Sequence, residues 1–140
     1  MFYGADCVVG LLAETDLLAG AIAKHGTYDY TSAVSGDDDW RRPVIAPWVE
    51  PVPSRRKSPL WDADRIDAPL LLFAGGADDA HPAEQSRRLY THLARQGADV
   101  TLYTYPELGG SVYTPPETVL DRLERTEQWL TTRRTEGTDE

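Results

Sequence analysis

The chain predicts an α/β domain with a parallel sheet of about three strands, on three observations. Pro69-Leu-Leu-Leu-Phe-Ala74 is a continuous apolar run, as expected of a strand covered on both faces. Leu17-Leu-Ala-Gly-Ala-Ile-Ala23 is a second short apolar run of the same kind. Between Pro82 and Gln96, Leu89, Tyr90 and Leu93 recur at helical spacing, so a helix links the central run to a third strand at Val100–Tyr105. Strands that alternate with helices imply parallel pairing through right-handed crossovers.

The elements follow in order. Asp6 to Glu14 carries Val8, Val9, Leu11, Leu12 and Ala13, apolar almost all round, and reads as a helix buried on most sides, with Cys7 in its core. The strand Leu17–Ala23 ends at Lys24-His25-Gly26. From 27 to 66 the texture changes: Asp37, Asp38 and Asp39 in a row, prolines at 43, 47, 51, 53 and 59, and three tryptophans disfavour regular structure. This excursion leaves room for one short helix, and Trp40, Trp48 and Trp61 are expected to pin it by packing. An irregular stretch of that length suits a lid or a contact surface. Pro82 is placed in the first turn of the next helix and Gly97 at its end. Val100–Tyr105 alternates Val100, Leu102 and Thr104 against Thr101, Tyr103 and Tyr105, as in a strand exposed on one face or near an edge. A last helix after Glu117 sets Val119, Leu120, Leu123, Thr126, Trp129 and Leu130 along a stripe.

Composition narrows the function. With 140 residues the chain holds one domain at most, and a formal charge of −9 argues against a nucleic-acid or anionic-membrane partner. The only basic run, Arg55-Arg56-Lys57, reads as a solvated loop feature. A single cysteine gives no disulfide framework, and no Cys/His spacing suggests a metal; neither metal nor cofactor is expected. No apolar stretch is long enough to span a bilayer, so the expected setting is cytoplasmic.

Several motifs resemble prolyl oligopeptidase-like serine peptidases, a branch of the α/β-hydrolases, with the glutamyl endopeptidases nearest in texture. Leu70-Leu-Leu-Phe-Ala-Gly75, Asp78 and His81-Pro82 are similar to that family's strand and acid turn. Gln85-Ser86, Leu89-Tyr90, Leu93, Gly97 and Val100 follow as its next helix and strand do, and Tyr105-Pro106 resembles the dipeptide before its histidine loop. Upstream, Tyr3-Gly4-Ala5, Thr15-Asp-Leu17 and Ala21-Ile-Ala23 resemble the helix after the nucleophile elbow and the strand behind it. The resemblance implies that residues 1–133 form a partial, truncated α/β-hydrolase domain; residues 134–140, which end a stretch without apolar residues, are expected to be a disordered tail.

It also locates the chemistry. Phe2 stands where the family has its serine, and Gly110 falls at the histidine place; only Asp78 keeps the residue type of the triad acid. A serine hydrolase needs a base within reach of its nucleophile. The implied function is therefore a catalytically silent relative acting through binding or assembly, or else one half of a split hydrolase that contributes Asp78 and takes nucleophile and histidine from a partner. Asp78 also reads simply as a helix cap or a turn closing on its own backbone, and Asp79 is an equal candidate. His25 ends a strand at the carboxyl edge of the sheet, where ligands collect, and is a candidate ligand contact. His81 reads as a packing residue and His92 as an exposed one. Ser111 follows two glycines without the strained elbow a nucleophile requires. An apolar edge at Leu17–Ala23 and an apolar helix at Asp6–Glu14 would both want cover, which predicts a homodimer or docking on a second protein.

Overall fold

The computed structural model describes residues 4–34, 58–79, 81–109 and 114–136. The elements are α1 (Gly4–Glu14), β1 (Ala21–Lys24), α2 (Tyr30–Val34), a 3-10 helix (Pro59–Arg65), β2 (Leu70–Gly75), α3 (Ala83–Arg95), β3 (Val100–Tyr105) and α4 (Pro116–Glu136). The chain falls into two units, residues 1–110 and 111–140.

In the first unit the sheet has the order β1-β2-β3, and both pairings are parallel. Ala21 lies opposite Leu70, and Leu70 opposite Val100, so the three strands start level. All six residues of β2 are buried, as its unbroken apolar run requires of a central strand. Side chains alternate across a strand. Leu70 and Leu72 meet Val9 and Leu12 of α1, Leu60 and Ala63 of the 3-10 helix, and Leu89 and Leu93 of α3 in one core. Phe73, one residue out of step, stacks on Tyr103 and Tyr105 with ring centroids 5.8 and 6.3 Å away.

Several boundaries differ from those the sequence suggests. The first strand begins at Ala21, not Leu17, and Leu17 is 91% exposed. Pairing decides this: Ala21 meets the first residue of β2, and the residues before it have no described strand to join. In α1 only one face is buried, through Ala5, Asp6, Val9, Leu12 and Ala13, while Leu11 and Cys7 are exposed. The helix is thus amphipathic despite its apolar composition, and Cys7 is not core. Pro82 caps α3 from outside the helix instead of entering its first turn. Gly97 follows the helix with φ of +79°, a left-handed position that suits glycine. Every residue of β3 is half-buried, so its alternation marks no bare face, and of the two expectations it is the edge position that the sheet order gives it.

Of the stretch 27–66, residues 27–34 and 58–66 are described, and they carry α2 and the 3-10 helix. Among the described residues Trp61 is 40% exposed, whereas Tyr28 is fully buried. Its ring lies against Gly26, where any Cβ would stand 2.3 Å from the ring, so only glycine permits that approach. Tyr28 O accepts a 3.0 Å bond from Leu60 N, and Ser58 Oγ accepts a 2.8 Å bond from Tyr30 N, which ties α2 to the start of the 3-10 helix. Trp40 and Trp48 lie outside the described residues.

The second unit consists of α4. It runs to Glu136, past position 134 where the sequence places the start of a tail. Asp121 Oδ2 and Arg125 Nε pair at 2.7 Å one turn apart, and the Arg133 guanidinium lies 4.2 Å from the centre of the Trp129 ring. Among the described residues no helix is long and apolar enough to cross a membrane.

Candidate functional site

The carboxyl ends of β1 and β2 carry the chemistry-bearing groups. After Lys24, His25 N–H donates to Phe73 O at 3.0 Å, which extends the β1–β2 ladder by one bond. His25 then adopts φ of +55°, and no other described non-glycine residue has a positive φ. That kink turns its ring towards the loop after β2. There Gly75 and Gly76 let the chain reverse beneath the segment after β3. A Cβ on Gly75 would stand 2.1 Å from Leu108 O and 3.2 Å from His25 Cε1. Ala77 N–H donates to Leu108 O at 3.2 Å, fixing the turn that delivers Asp78.

Asp78 and His25 meet. Asp78 Oδ2 lies 2.9 Å from His25 Nδ1, with the carboxylate side chain wholly buried and the imidazole 21% exposed. An ionised carboxylate only accepts hydrogen bonds, so Nδ1 carries the hydrogen and a neutral ring keeps its lone pair on Nε2. Asp78 Oδ1 accepts the backbone N–H of His81 at 2.8 Å, which closes the turn locally. Asp78 thus engages the backbone of its own turn through one oxygen and the imidazole through the other. Asp79 is exposed.

A second layer supports the pair. His81 Nδ1 shares a 3.0 Å hydrogen bond with Thr27 Oγ1, so the Asp78–His81 turn is tied to the loop after β1. Thr27 N–H donates to Asp6 Oδ1 at 2.8 Å, which ties that loop to the first turn of α1. Asp6 is 3% exposed, and burial pushes its carboxyl from 3.8 up to about 6, against the opposing pull of the Thr27 and Tyr30 hydrogen bonds. Burial likewise raises the Tyr28 hydroxyl, and the negative charge of Asp6 adds to the effect. Gln85 Oε1 accepts from the buried amides of Tyr28 and Asp29 at 3.1 and 2.8 Å, and its Nε2 donates to Ser32 Oγ at 2.7 Å. Asp29 Oδ2 in turn pairs with Arg88 at 2.7 Å.

The candidates thus separate. His25 and Asp78 are brought together, and His81 joins through its backbone and Thr27. His92 stands apart on α3, bonded to Asp64 at 2.6 Å. Phe2, Gly110 and Ser111 lie outside the described residues. Among the described residues no group of three or more His, Cys, Asp or Glu could hold a metal ion. Sequence reasoning misses Asp6 and Gln85 as supports. Gln85 carries a faint signal, an amide amid the buried face of α3, and Asp6 another, a carboxylate on a helix otherwise almost uncharged.

Comparison with known proteins places the fold. No curated protein matches the chain in sequence. Among solved structures, an acylaminoacyl peptidase in complex with Z-Gly-Gly-Phe-chloromethyl ketone is similar at 25% identity and a TM-score of 0.82, over 92% of this chain and 22% of its own. Acylaminoacyl peptidase of Pyrococcus horikoshii, in an orthorhombic crystal form, is similar at 26% identity and a TM-score of 0.68, over 76% of this chain and 18% of its own. A puromycin-hydrolyzing peptidase of Mycobacterium tuberculosis is similar at 25% identity and a TM-score of 0.65, over 74% and 16%. The chain spans about a fifth of the length of these proteins. The sheet is part of an α/β-hydrolase fold, and the prolyl oligopeptidase family pattern matches residues 3–135; the chain belongs to the prolyl oligopeptidase family.

Proposed function

We propose that this chain is silent as a serine peptidase when alone and acts by associating with a second polypeptide, either another copy or a different protein. The observation that carries the reading is chemical. His25, the imidazole held by Asp78, hydrogen-bonds to no hydroxyl or thiol of a described residue. Acyl transfer through a serine needs that contact. The family resemblance adds Phe2 at the serine place and Gly110 at the histidine place. Association is supported by β1, which pairs with β2 on one side and with no described strand on the other, and by the exposed Leu11 and Leu17 nearby. A cytoplasmic setting completes the proposal, supported by the lone cysteine, Cys7, which has no partner for a disulfide within the chain.

Two measurements test it. Light scattering on the purified chain is expected to give a mass above 15.6 kDa, or a shift to such a mass when a partner is added. A fluorophosphonate is expected to leave the chain unlabelled. Labelling that disappears on replacing one serine would overturn the silent reading.

The Asp78–His25 contact favours a second reading, in which the chain is half of a split hydrolase. The partner would then supply only the nucleophile, since an oriented imidazole is already present. Joint peptidase activity with a copurifying hydrolase-like chain, lost on Asp78→Ala, would support it over the silent reading.

A further inference from the structure

We propose that Asp78 and His25 form an acid–base dyad able to activate water against carboxylic esters, with the imidazole drawn from the end of β1 and not from the loop after β3. The inference does not rest on association with a partner, because both groups belong to one chain.

The dyad has the parts such a base requires. Its carboxylate is fully buried and fixed through both oxygens, 2.9 Å from His25 Nδ1 and 2.8 Å from His81 N. A carboxylate held in this way orients the ring and stabilises the imidazolium formed when Nε2 takes a proton. The ring occupies a made place: His25 keeps φ of +55°, and Gly75 leaves free the space that a Cβ would fill 3.2 Å from Cε1. A left-handed non-glycine residue persists only where its surroundings fix it, and such positions cluster at functional sites. Finally, Nε2 has no hydrogen-bond partner among the described residues, and 21% of the side chain is exposed. The imidazole therefore stands partly exposed at the carboxyl end of the sheet, where ligands bind in open α/β folds.

The step balances without any other reagent. Water oxygen forms a bond to the ester carbonyl carbon while one of its protons passes to Nε2. The tetrahedral intermediate then breaks its bond to the alcohol oxygen, which departs with the proton from Nε2. Carboxylic acid and alcohol result, and the ring is neutral again with Nδ1–H still on Asp78. Small esters with good leaving groups are the substrate class this open site suits.

The full chain should be assayed with p-nitrophenyl acetate, following nitrophenol release. His25→Asn is the main variant, because asparagine tolerates the left-handed backbone and keeps the fold, as a melting curve would check. A positioned base contributes about a hundredfold or more, so His25→Asn should lower the chain-dependent rate at least about tenfold. His92→Gln should leave the rate unchanged. Asp78→Asn, with His25 retained, should lower it as well, and the wild-type rate should fall in D2O because a proton is in flight. The proposal is overturned if His25→Asn keeps the wild-type rate, or if His92→Gln loses as much as His25→Asn. It is equally overturned by a D2O-insensitive burst of one equivalent of nitrophenol, which would mean direct acylation of the ring. Fluorophosphonate labelling of a serine would sink the silent reading but leave this result standing, since that reagent reports on hydroxyl nucleophiles.

Discussion

Replacing Asp6 by asparagine isolates the cost of a buried carboxylate in the support of the site. Asp6 sits in the first turn of α1, 3% exposed, and its carboxyl is pushed from 3.8 to about 6. Between those values the folded chain holds a proton that the unfolded chain has released. Stability therefore falls as pH rises through this window and levels off above about pH 6. At about 1.4 kcal/mol per pH unit, the full displacement amounts to roughly 3 kcal/mol lost at neutral pH. Asparagine stays neutral throughout. Its Oδ1 still accepts the Thr27 N–H, and its amide donates to the Tyr30 hydroxyl, which at present donates to Asp6 Oδ2 at 3.4 Å. Urea unfolding of both proteins at a series of pH values gives the difference in stability, in which all other titrating groups cancel. Asp6→Asn should gain on the wild type by about 2 kcal/mol between pH 4.5 and pH 7.5, with most of the gain complete by pH 6.5. A difference that stays constant over this range would refute the reasoning, because it would mean that the carboxyl titrates alike in both states.

Other substitutions probe what holds the site. Gln85→Leu removes the acceptor of two buried amides, those of Tyr28 and Asp29, and should cost about 2–4 kcal/mol in urea unfolding; a loss under about 1 kcal/mol would show that water replaces the amide. Gly75→Ala sets a methyl 2.1 Å from Leu108 O and should destabilise by about 1–3 kcal/mol while displacing residues 106–108, visible as amide shifts at Ala77 and Leu108 in NMR spectra. Leu89→Ala empties a fully buried position between α3 and the sheet and should cost about 2–5 kcal/mol by the same unfolding measurement.

How much of this was legible follows from the range of the interactions. The central strand is plain in the sequence, because burial on both faces demands an uninterrupted apolar run, and Leu70 to Phe73 supply it. The body of α3 is equally plain, since Leu89 and Leu93 carry its buried stripe. The start of β1 was not. Leu17 and Leu18 are as apolar as the residues that follow, and only the partner opposite decides where pairing begins. What fixes Tyr28 was hidden for a similar reason. It is held by Gly26 beside it but also by Gln85, 57 positions on.

The same distinction explains the site. Asp78 and His25 were each legible as candidates, one from an acid turn and the other from its place at a strand end, yet 53 residues separate them and no local pattern joins them. What joins them is register. Lys24 lies opposite Phe73, so His25 follows as the next step along β1 while β2 continues for two residues before its glycine turn. A parallel pair that starts level puts the residue after one strand beside the turn that ends the next. The φ of +55° then rotates the ring across that gap. Moving the pairing by one residue would carry His25 to the other face of the sheet, out of reach of the carboxylate. The meeting of acid and imidazole is therefore a consequence of the alignment of β1 on β2, and the absence of a histidine at Gly110 does not by itself leave Asp78 without one.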